Sequence, residues 1–329
     1  MRVGPVVVTG LALLTISCGR AVAVAPAPAP EPASYQTLVA GAPDPEGNMA
    51  TARFDSVTGH AQATAVPTNA IEARFAPAGA ISYLLPDSIH TLDVAGGART
   101  VATSPGRVIA GFAWSDGGVL AFVAHATAVG SGSQLVIQPP AGVARAIPLP
   151  PASGGAPPTL RFSSDGQLLL LVDPALGTQN TLQVRRLDGT LVYQAAGASE
   201  ATWAGLRRLY YQDGRGVNAA DLTSGATRTI LPGIGWRTPD TSPDGRTVVF
   251  EGRDPVGRPC LELLDTRTDA VLPGFERDEA AAPRFVSGTE IWFRDVSGGA
   301  GAIVSLDVER RTEAPTGLTG VVSDVRQIG

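Results

Sequence analysis

The feature that most constrains the fold is a short motif that recurs six times along the chain. Each copy has an anchor residue, usually aromatic, followed by a turn rich in Ser, Pro, Asp and Gly and then by an apolar strand. A repeat of this length that contains an Asp-Gly hairpin is typical of a propeller blade. The sequence therefore predicts an all-β propeller. The anchors, spaced 38 to 48 residues apart, are Phe75, Trp114, Phe162, Trp203, Thr241 and Phe285.

A second motif, an apolar residue followed by Asp, closes a strand 18 to 26 residues after most anchors. Turn residues come next, so we expect the Asp carboxylate to accept hydrogen bonds from the backbone of its own turn. These aspartates are predicted to stabilise hairpins rather than to catalyse. The pairs are Leu92–Asp93, Leu187–Asp188, Ala220–Asp221, Leu264–Asp265 and Leu306–Asp307.

The two ends of the repeat region predict how the ring closes. Residues 54–59 (FDSVTG) repeat the Asp turn without an anchor strand before them, and Val321 to Ile328 read as a lone strand after the last repeat. Pairing this strand with N-terminal strands near residues 37–39, 50–54 and 61–66 would complete one more blade and bury both open sheet edges. We predict seven four-stranded blades, with six as the alternative.

Two stretches of the repeat resemble a known family. Residues 241–250 (TSPDGRTVVF), followed by residues 261–265 (LELLD), look like the TolB-type, WD40-like propeller repeat. The resemblance covers six repeats, from Ile71 to Pro315. It implies a propeller that engages envelope proteins or peptides, in a form without the α/β domain that precedes the propeller in that family.

The N-terminal residues are typical of an export signal. Arg2 supplies a positive start, and residues 3–17 form an apolar stretch too short for a comfortable transmembrane helix. The stretch ends in residues 14–18 (LTISC), which resemble a bacterial lipobox, in which the cysteine takes a diacylglycerol. We predict a signal peptide over residues 1–17 and lipid attachment at Cys18. Cleavage after Ala23, which would release a secreted soluble protein, is the alternative.

Residues 18–34 follow as a segment of alternating Ala and Pro. This composition favours polyproline II, a semi-rigid spacer of ~3.1 Å per residue. We expect it to be a tether between the lipid and a single propeller domain over residues 35–329. The predicted location is the outer face of a bacterial membrane or its periplasmic side, with the lipid as the membrane contact.

Composition argues against several classes of function. All 25 basic residues are Arg, and they are spread along a chain of net charge −5, so the footprint of a nucleic-acid binder is missing. Without Lys there is no P-loop lysine and no Schiff base. His60, His90 and His125 lack metal-motif spacing, and no nucleophile-elbow motif occurs. We predict no catalytic residue, metal or cofactor.

The remaining candidates for a site are charged residues shortly before the anchors, which should lie on the innermost strands around a channel. Arg directly precedes the aromatic anchor in three repeats. Because guanidinium forks suit carboxylates, these residues predict a channel mouth that recognises an acidic group or peptide. Ion pairing between blades is the alternative. The predicted binding residues are Glu72, Arg74, Arg161, Glu200, Arg237, Asp240 and Arg284.

Three functions remain open on the sequence. The first is a non-enzymatic binding or scaffold lipoprotein, a monomer with an envelope protein or peptide as its partner. The second is an enzyme with a site between blades, of the lactonase, lyase or quinoprotein type. The third is a carbohydrate-binding propeller with stacking tryptophans, which is disfavoured because most of them occupy anchor or core positions. The tryptophans are Trp114, Trp203, Trp236 and Trp292.

Overall fold

The computed structural model describes residues 34–328, apart from 44–48, 94, 128–131, 152–156, 175–180, 234, 255, 276 and 299–300. These residues form 29 strands in seven antiparallel sheets. The predicted signal peptide, Cys18 and most of the predicted tether lie outside the described residues. In the part of the chain that is described, no helix is long and apolar enough to cross a membrane.

Six sheets are formed by consecutive strands, and we number them as blades in chain order. Blade 1 contains β4 (Glu72–Phe75), β5 (Ile81–Leu85), β6 (Ser88–Leu92) and β7 (Ala98–Thr103). Blade 2 contains β8 (Arg107–Trp114), β9 (Leu120–Ala126), β10 (Gly132–Gln138) and β11 (Arg145–Pro151). Blade 3 contains β12 (Thr159–Phe162), β13 (Leu168–Val172), β14 (Leu182–Arg186) and β15 (Leu191–Ala195). Blade 4 contains β16 (Glu200–Trp203), β17 (Arg208–Asp213), β18 (Gly216–Asp221) and β19 (Thr227–Pro232). Blade 5 contains β20 (Arg237–Thr241), β21 (Thr247–Arg253), β22 (Pro259–Asp265), β23 (Ala270–Val271) and β24 (Arg277–Asp278). Blade 6 contains β25 (Ala280–Phe285), β26 (Glu290–Asp295), β27 (Ala302–Asp307) and β28 (Thr312–Thr319).

The seventh blade closes the ring with strands from both ends of the chain. Its order is β29 (Val321–Ile328), β1 (Ser34–Pro43), β2 (Met49–Asp55) and β3 (His60–Ala63). The C-terminal strand β29 is innermost and pairs with β1, so that Thr37 lies opposite Val325. It also contacts the inner strands of blades 1 and 6. The prediction of seven blades closed by terminal strands is confirmed, and the alternative of six is excluded.

Strand alternation explains how one blade packs against two neighbours. All five residues of β13 are buried, in the run LLLLV. Leu169 and Leu171 pack into the cluster shared with blade 2, whereas Leu168, Leu170 and Val172 pack into the cluster shared with blade 4. A strand whose two faces are both covered reads as a continuous apolar run, which is why this repeat shows no polar alternation.

The turns of the repeat are held by side chains, as the second motif predicts. Asp93 Oδ1 accepts hydrogen bonds from the backbone N–H groups of Ala95 and Gly97 at 2.9 and 2.8 Å. The carboxylates of the other four strand-closing aspartates accept bonds within their own turns in the same way. The hairpin role of these aspartates is confirmed.

The turn between the first and second strand of a blade has its own fixed geometry. In blade 5, the Thr247 N–H donates to Ser242 Oγ at 3.0 Å, and Gly245 takes a φ of +72°. The Ser115 and Ser163 hydroxyls repeat the contact in blades 2 and 3. These turns lie together at one end of the ring, which we call the turn face.

Candidate functional site: a polar cavity on the ring axis

The central channel contains a cavity of about 400 Å³ to which all seven inner strands contribute. The inner strand is the first strand of blades 1 to 6, and it is β29 in the closing blade. The cavity reaches the turn face, because Pro243, in the first turn of blade 5, is part of its wall.

Five of the seven predicted binding residues line this cavity: Arg74, Arg161, Glu200, Asp240 and Arg284. The two others do not. Glu72 lies beside the cavity and accepts a hydrogen bond from Arg74 Nε at 2.7 Å. Arg237 is exposed at the first residue of β20 and lies outside the cavity wall. The structure thus brings most of the set together, and the binding role of the set stays a prediction.

Several polar residues of the wall were not predicted from the sequence, among them Asp324 and Thr238. Asp324 lies on β29, a strand that carries no repeat motif, so the rule of reading residues before an anchor could not find it. Thr238 has a φ of 44°, which is rare for a residue other than Gly, at a bulge between β20 and β21. The position of Asp324 in the predicted closing strand was the available signal.

The acidic residues of the channel hold neighbouring blades together. Asp240 Oδ2 accepts the backbone N–H of Phe285, in the next blade, at 2.9 Å. Asp324 Oδ2 accepts the N–H of Phe75 in the same way at 2.7 Å. The Glu200 carboxylate accepts the N–H of Thr238. Charged acceptors of backbone N–H groups are strong contacts, so these carboxylates have a structural role in the ring.

The three arginines of the cavity are held less completely. Arg161 Nη1 crosses from blade 3 to Asp240 Oδ1 in blade 5, at 2.7 Å. Arg74 is paired with Glu72 on its own strand. Arg284 Nη1 lies 3.7 Å from Asp240 Oδ1, too far for a hydrogen bond. Ion pairing between blades, the alternative interpretation, therefore describes Arg161 well, whereas Arg284 is within ion-pair distance of Asp240 but makes no hydrogen bond from Nη1.

Burial shifts the pKa values of the cavity arginine Arg284 and of the cavity carboxyl groups in opposite directions. Burial lowers the pKa of the Arg284 guanidinium, the Asp240 carboxylate raises it, and the positive charges of Arg161 and Arg74 lower it. Burial raises the pKa of the carboxyl groups of Glu200 and Asp324. Guanidinium groups nonetheless keep their charge in proteins. Three guanidinium groups and three carboxyl groups thus line the same cavity.

Two polar atoms of the wall are buried without a hydrogen-bond partner: Arg284 Nη1 and Thr238 Oγ1. A buried donor that makes no hydrogen bond costs about 1–3 kcal/mol, so native proteins rarely keep one without a reason. An anionic oxygen bound in the cavity would reduce the repulsion among the guanidinium groups that line it. The arrangement is thus suited to binding a carboxylate or a similar acid.

The tryptophans do not form a common stacking surface. Trp292 is buried in the cluster that closes the ring, edge-on to Tyr35, and Trp203 donates its indole N–H to the Arg161 carbonyl at 3.1 Å. Trp236 packs against Phe250. Trp114, in contrast, lines the channel cavity. Within the described ranges, no group of three or more His, Cys, Asp and Glu side chains is placed to hold a metal ion.

The sequence matches no protein-family model and no curated protein. Solved structures do resemble the fold. TolB from Acinetobacter baumannii aligns at 13% identity over 89% of this chain and 65% of that chain, with a TM-score of 0.54. A putative 6-phosphogluconolactonase from Bacteroides fragilis aligns at 13% identity over 92% of this chain and 100% of that chain, with a TM-score of 0.60.

A puromycin-hydrolyzing peptidase from Mycobacterium tuberculosis is similar at 17% identity over 86% of this chain, with a TM-score of 0.60. This chain spans 53% of the peptidase and 65% of TolB. The structural alignments establish the shared β-propeller fold. Sequence identities this low are equally compatible with binding proteins and with enzymes.

Proposed function

We propose that this chain is a non-enzymatic, exported propeller of the TolB-like kind, which binds an acidic group of an envelope protein or peptide in its channel cavity. The observation that carries the proposal is Arg284, a residue of the cavity wall whose buried Nη1 has no hydrogen-bond partner. Arg161 and Arg74 add positive charge beside it. A carboxylate supplies the missing acceptor and the opposite charge.

Binding is favoured over catalysis because the acidic groups of the cavity are already committed. Glu200, Asp240 and Asp324 accept backbone N–H groups from an adjacent strand. A general acid or base must exchange its proton freely with a substrate. If these carboxylates did so, the contacts between blades would weaken at each turnover. The lactonase and peptidase neighbours share the fold with this chain, as TolB does.

The binding proposal is tested with a short acidic peptide, N-acetyl-triglycyl-aspartate, by calorimetry or ligand-observed NMR. Arg284→Gln should weaken binding at least about tenfold, the range expected when a charged hydrogen bond of 1.5–3 kcal/mol is lost. Arg237→Gln is the matched control, because it removes the same charge from an inner strand, β20, at a residue outside the cavity wall. An equal loss in both variants would contradict the proposal.

Export and lipid anchoring form a separate part of the proposal, supported by the signal-like residues 1–17 and the lipobox-like cysteine. Replacing Cys18 by Ala should move the protein from the membrane fraction to the soluble exported fraction, because the lipid is its proposed membrane contact. A protein that stays membrane-bound without this thiol would contradict lipidation. Pull-down after cross-linking in membranes would then identify the envelope partner.

A further inference from the structure

A second cavity lies between blades 1 and 2, and no function has been assigned to it so far. Its volume is about 460 Å³. We call it the inter-blade cleft and define it by Pro77, Arg99, Thr100, Trp114, Gln138 and Pro139. Pro77 lies in the first turn of blade 1, so the cleft opens on the turn face, as the channel cavity does.

The cleft and the channel cavity share a wall. Trp114, the last residue of β8, lines both spaces. Its indole N–H donates to Ser82 Oγ in blade 1 at 2.9 Å, which fixes the plane of the ring. One side chain therefore lies between the cleft and the arginines of the channel cavity. An extended peptide rises ~3.3 Å per residue, so a few residues span the indole side chain that lies between the two spaces.

The cleft is chemically different from the channel. Its wall combines the rings of Pro77, Pro139 and Trp114 with two longer polar side chains. They are the amide of Gln138 and the guanidinium of Arg99, whose Nε donates to Thr91 Oγ1 at 3.2 Å. Gln138 Nε2 donates to the Val101 carbonyl at 3.4 Å, so the amide is oriented before any ligand arrives. Aromatic and proline surfaces with one placed amide suit an apolar side chain that belongs to a peptide backbone.

We infer that the ligand is an extended peptide that binds at two points, with its acidic group in the channel cavity and an apolar side chain in the inter-blade cleft, across Trp114. This inference rests on the proposed function for the acidic group. Charge complementarity fixes one end of the peptide, and the shared tryptophan fixes where the chain must continue. The second contact also supplies selectivity, because an acid alone cannot fill the cleft.

The test uses N-acetylated peptides in which leucine precedes aspartate by one to four glycines. Matched peptides carry glycine in place of leucine. At the best spacing, leucine should strengthen binding at least about tenfold, the value of one buried apolar side chain. Thr100→Trp should remove this gain and leave the glycine peptide unaffected, because an exposed residue of the cleft wall becomes bulky.

Thr103→Trp is the control, an exposed residue on the same strand that is not part of the cleft wall. Both variants should unfold at the same denaturant concentration. If leucine adds nothing at any spacing, or if Thr100→Trp and Thr103→Trp behave alike, the two-point model is wrong while the channel proposal stands. If neither type of peptide binds, both proposals fail.

Discussion

Two clusters of arginine and aspartate join blades in this molecule, one at the outer edge of the ring and one on its axis. At the outer edge, between blades 4 and 5, the carboxylate of Asp269 accepts hydrogen bonds from Arg208, Arg228 and the hydroxyl of Tyr210. On the axis, Asp240 accepts a hydrogen bond from Arg161, whereas Arg284 donates none from Nη1.

The difference between the clusters is the balance of donors and acceptors. In the outer cluster the carboxylate side chain is 3% exposed and receives three donors, and Arg208 also donates to the Thr266 carbonyl at 2.6 Å. In the axial cluster the carboxylates of Glu200, Asp240 and Asp324 each accept a backbone N–H group, and Arg284 Nη1 is left without a hydrogen bond. A satisfied cluster is a structural contact, whereas one with spare donors can bind a ligand.

The largest expected effect is on the outer cluster. Asp269→Ala should lower the free energy of unfolding by about 2 kcal/mol, because it removes the common acceptor of three donors. We discount the loss because Arg228 is 64% exposed. Asp269 also has a φ of 56°, a conformation that Asn tolerates better than Ala.

Urea denaturation measures this change, and Asp269→Asn is the control with the smaller loss. Binding of the acidic peptide should be the same in both variants and in the native protein, since the cluster lies away from the channel. A loss of peptide binding in Asp269→Asn would show that the two clusters are not independent.

The second prediction concerns stability in the axial cluster, where the sign should reverse. Arg284→Met should raise the free energy of unfolding by about 1 kcal/mol, because it replaces a desolvated cation, repelled by its neighbours, with an apolar side chain of similar length. Asp240 would keep its bonds from Arg161 and Phe285. The same variant should lose peptide binding. A marked loss of stability would mean that Arg284 is a structural residue, like Arg208.

The smallest expected effect is on pH dependence, measured with a sulfonate analogue of the acidic peptide, whose charge does not change in this range. Burial raises the pKa of Glu200 and Asp324 above their ordinary values of 4.5 and 3.8. These groups therefore gain protons as the pH falls through their raised pKa values, and the cavity becomes more positive. Affinity for the sulfonate should rise severalfold.

The stability of the fold changes with pH in the same direction as the affinity for the sulfonate. Because the folded state holds these protons more tightly than the unfolded state, the free energy of unfolding falls as the pH rises from the ordinary values through the raised pKa values. Glu200→Gln and Asp324→Asn should flatten both dependences, since an amide oxygen can still accept the backbone N–H. An unchanged pH profile in the double variant would assign the effect to other groups.

Much of the fold could be predicted from local sequence because the blades repeat the same turn and strand motifs. The turns around Ser242 and Asp93 are built from contacts within a few residues, so their spacing alone indicates hairpins. The inner-strand position of Arg161 and Arg284 followed from that register. Asp324 could not be found in this way, because its strand belongs to a blade assembled from both chain ends.

The amino-acid sequence by itself determined the repeating blade, the closing strands and the presence of charged residues on the ring axis, because these depend on short-range turns and strand alternation. Only the tertiary structure decided which charges are satisfied. Arg161 reaches across two blade positions to donate to Asp240, whereas Arg284 Nη1 does not donate a hydrogen bond to the same carboxylate. Such pairings depend on distances across a closed ring, which no local pattern encodes.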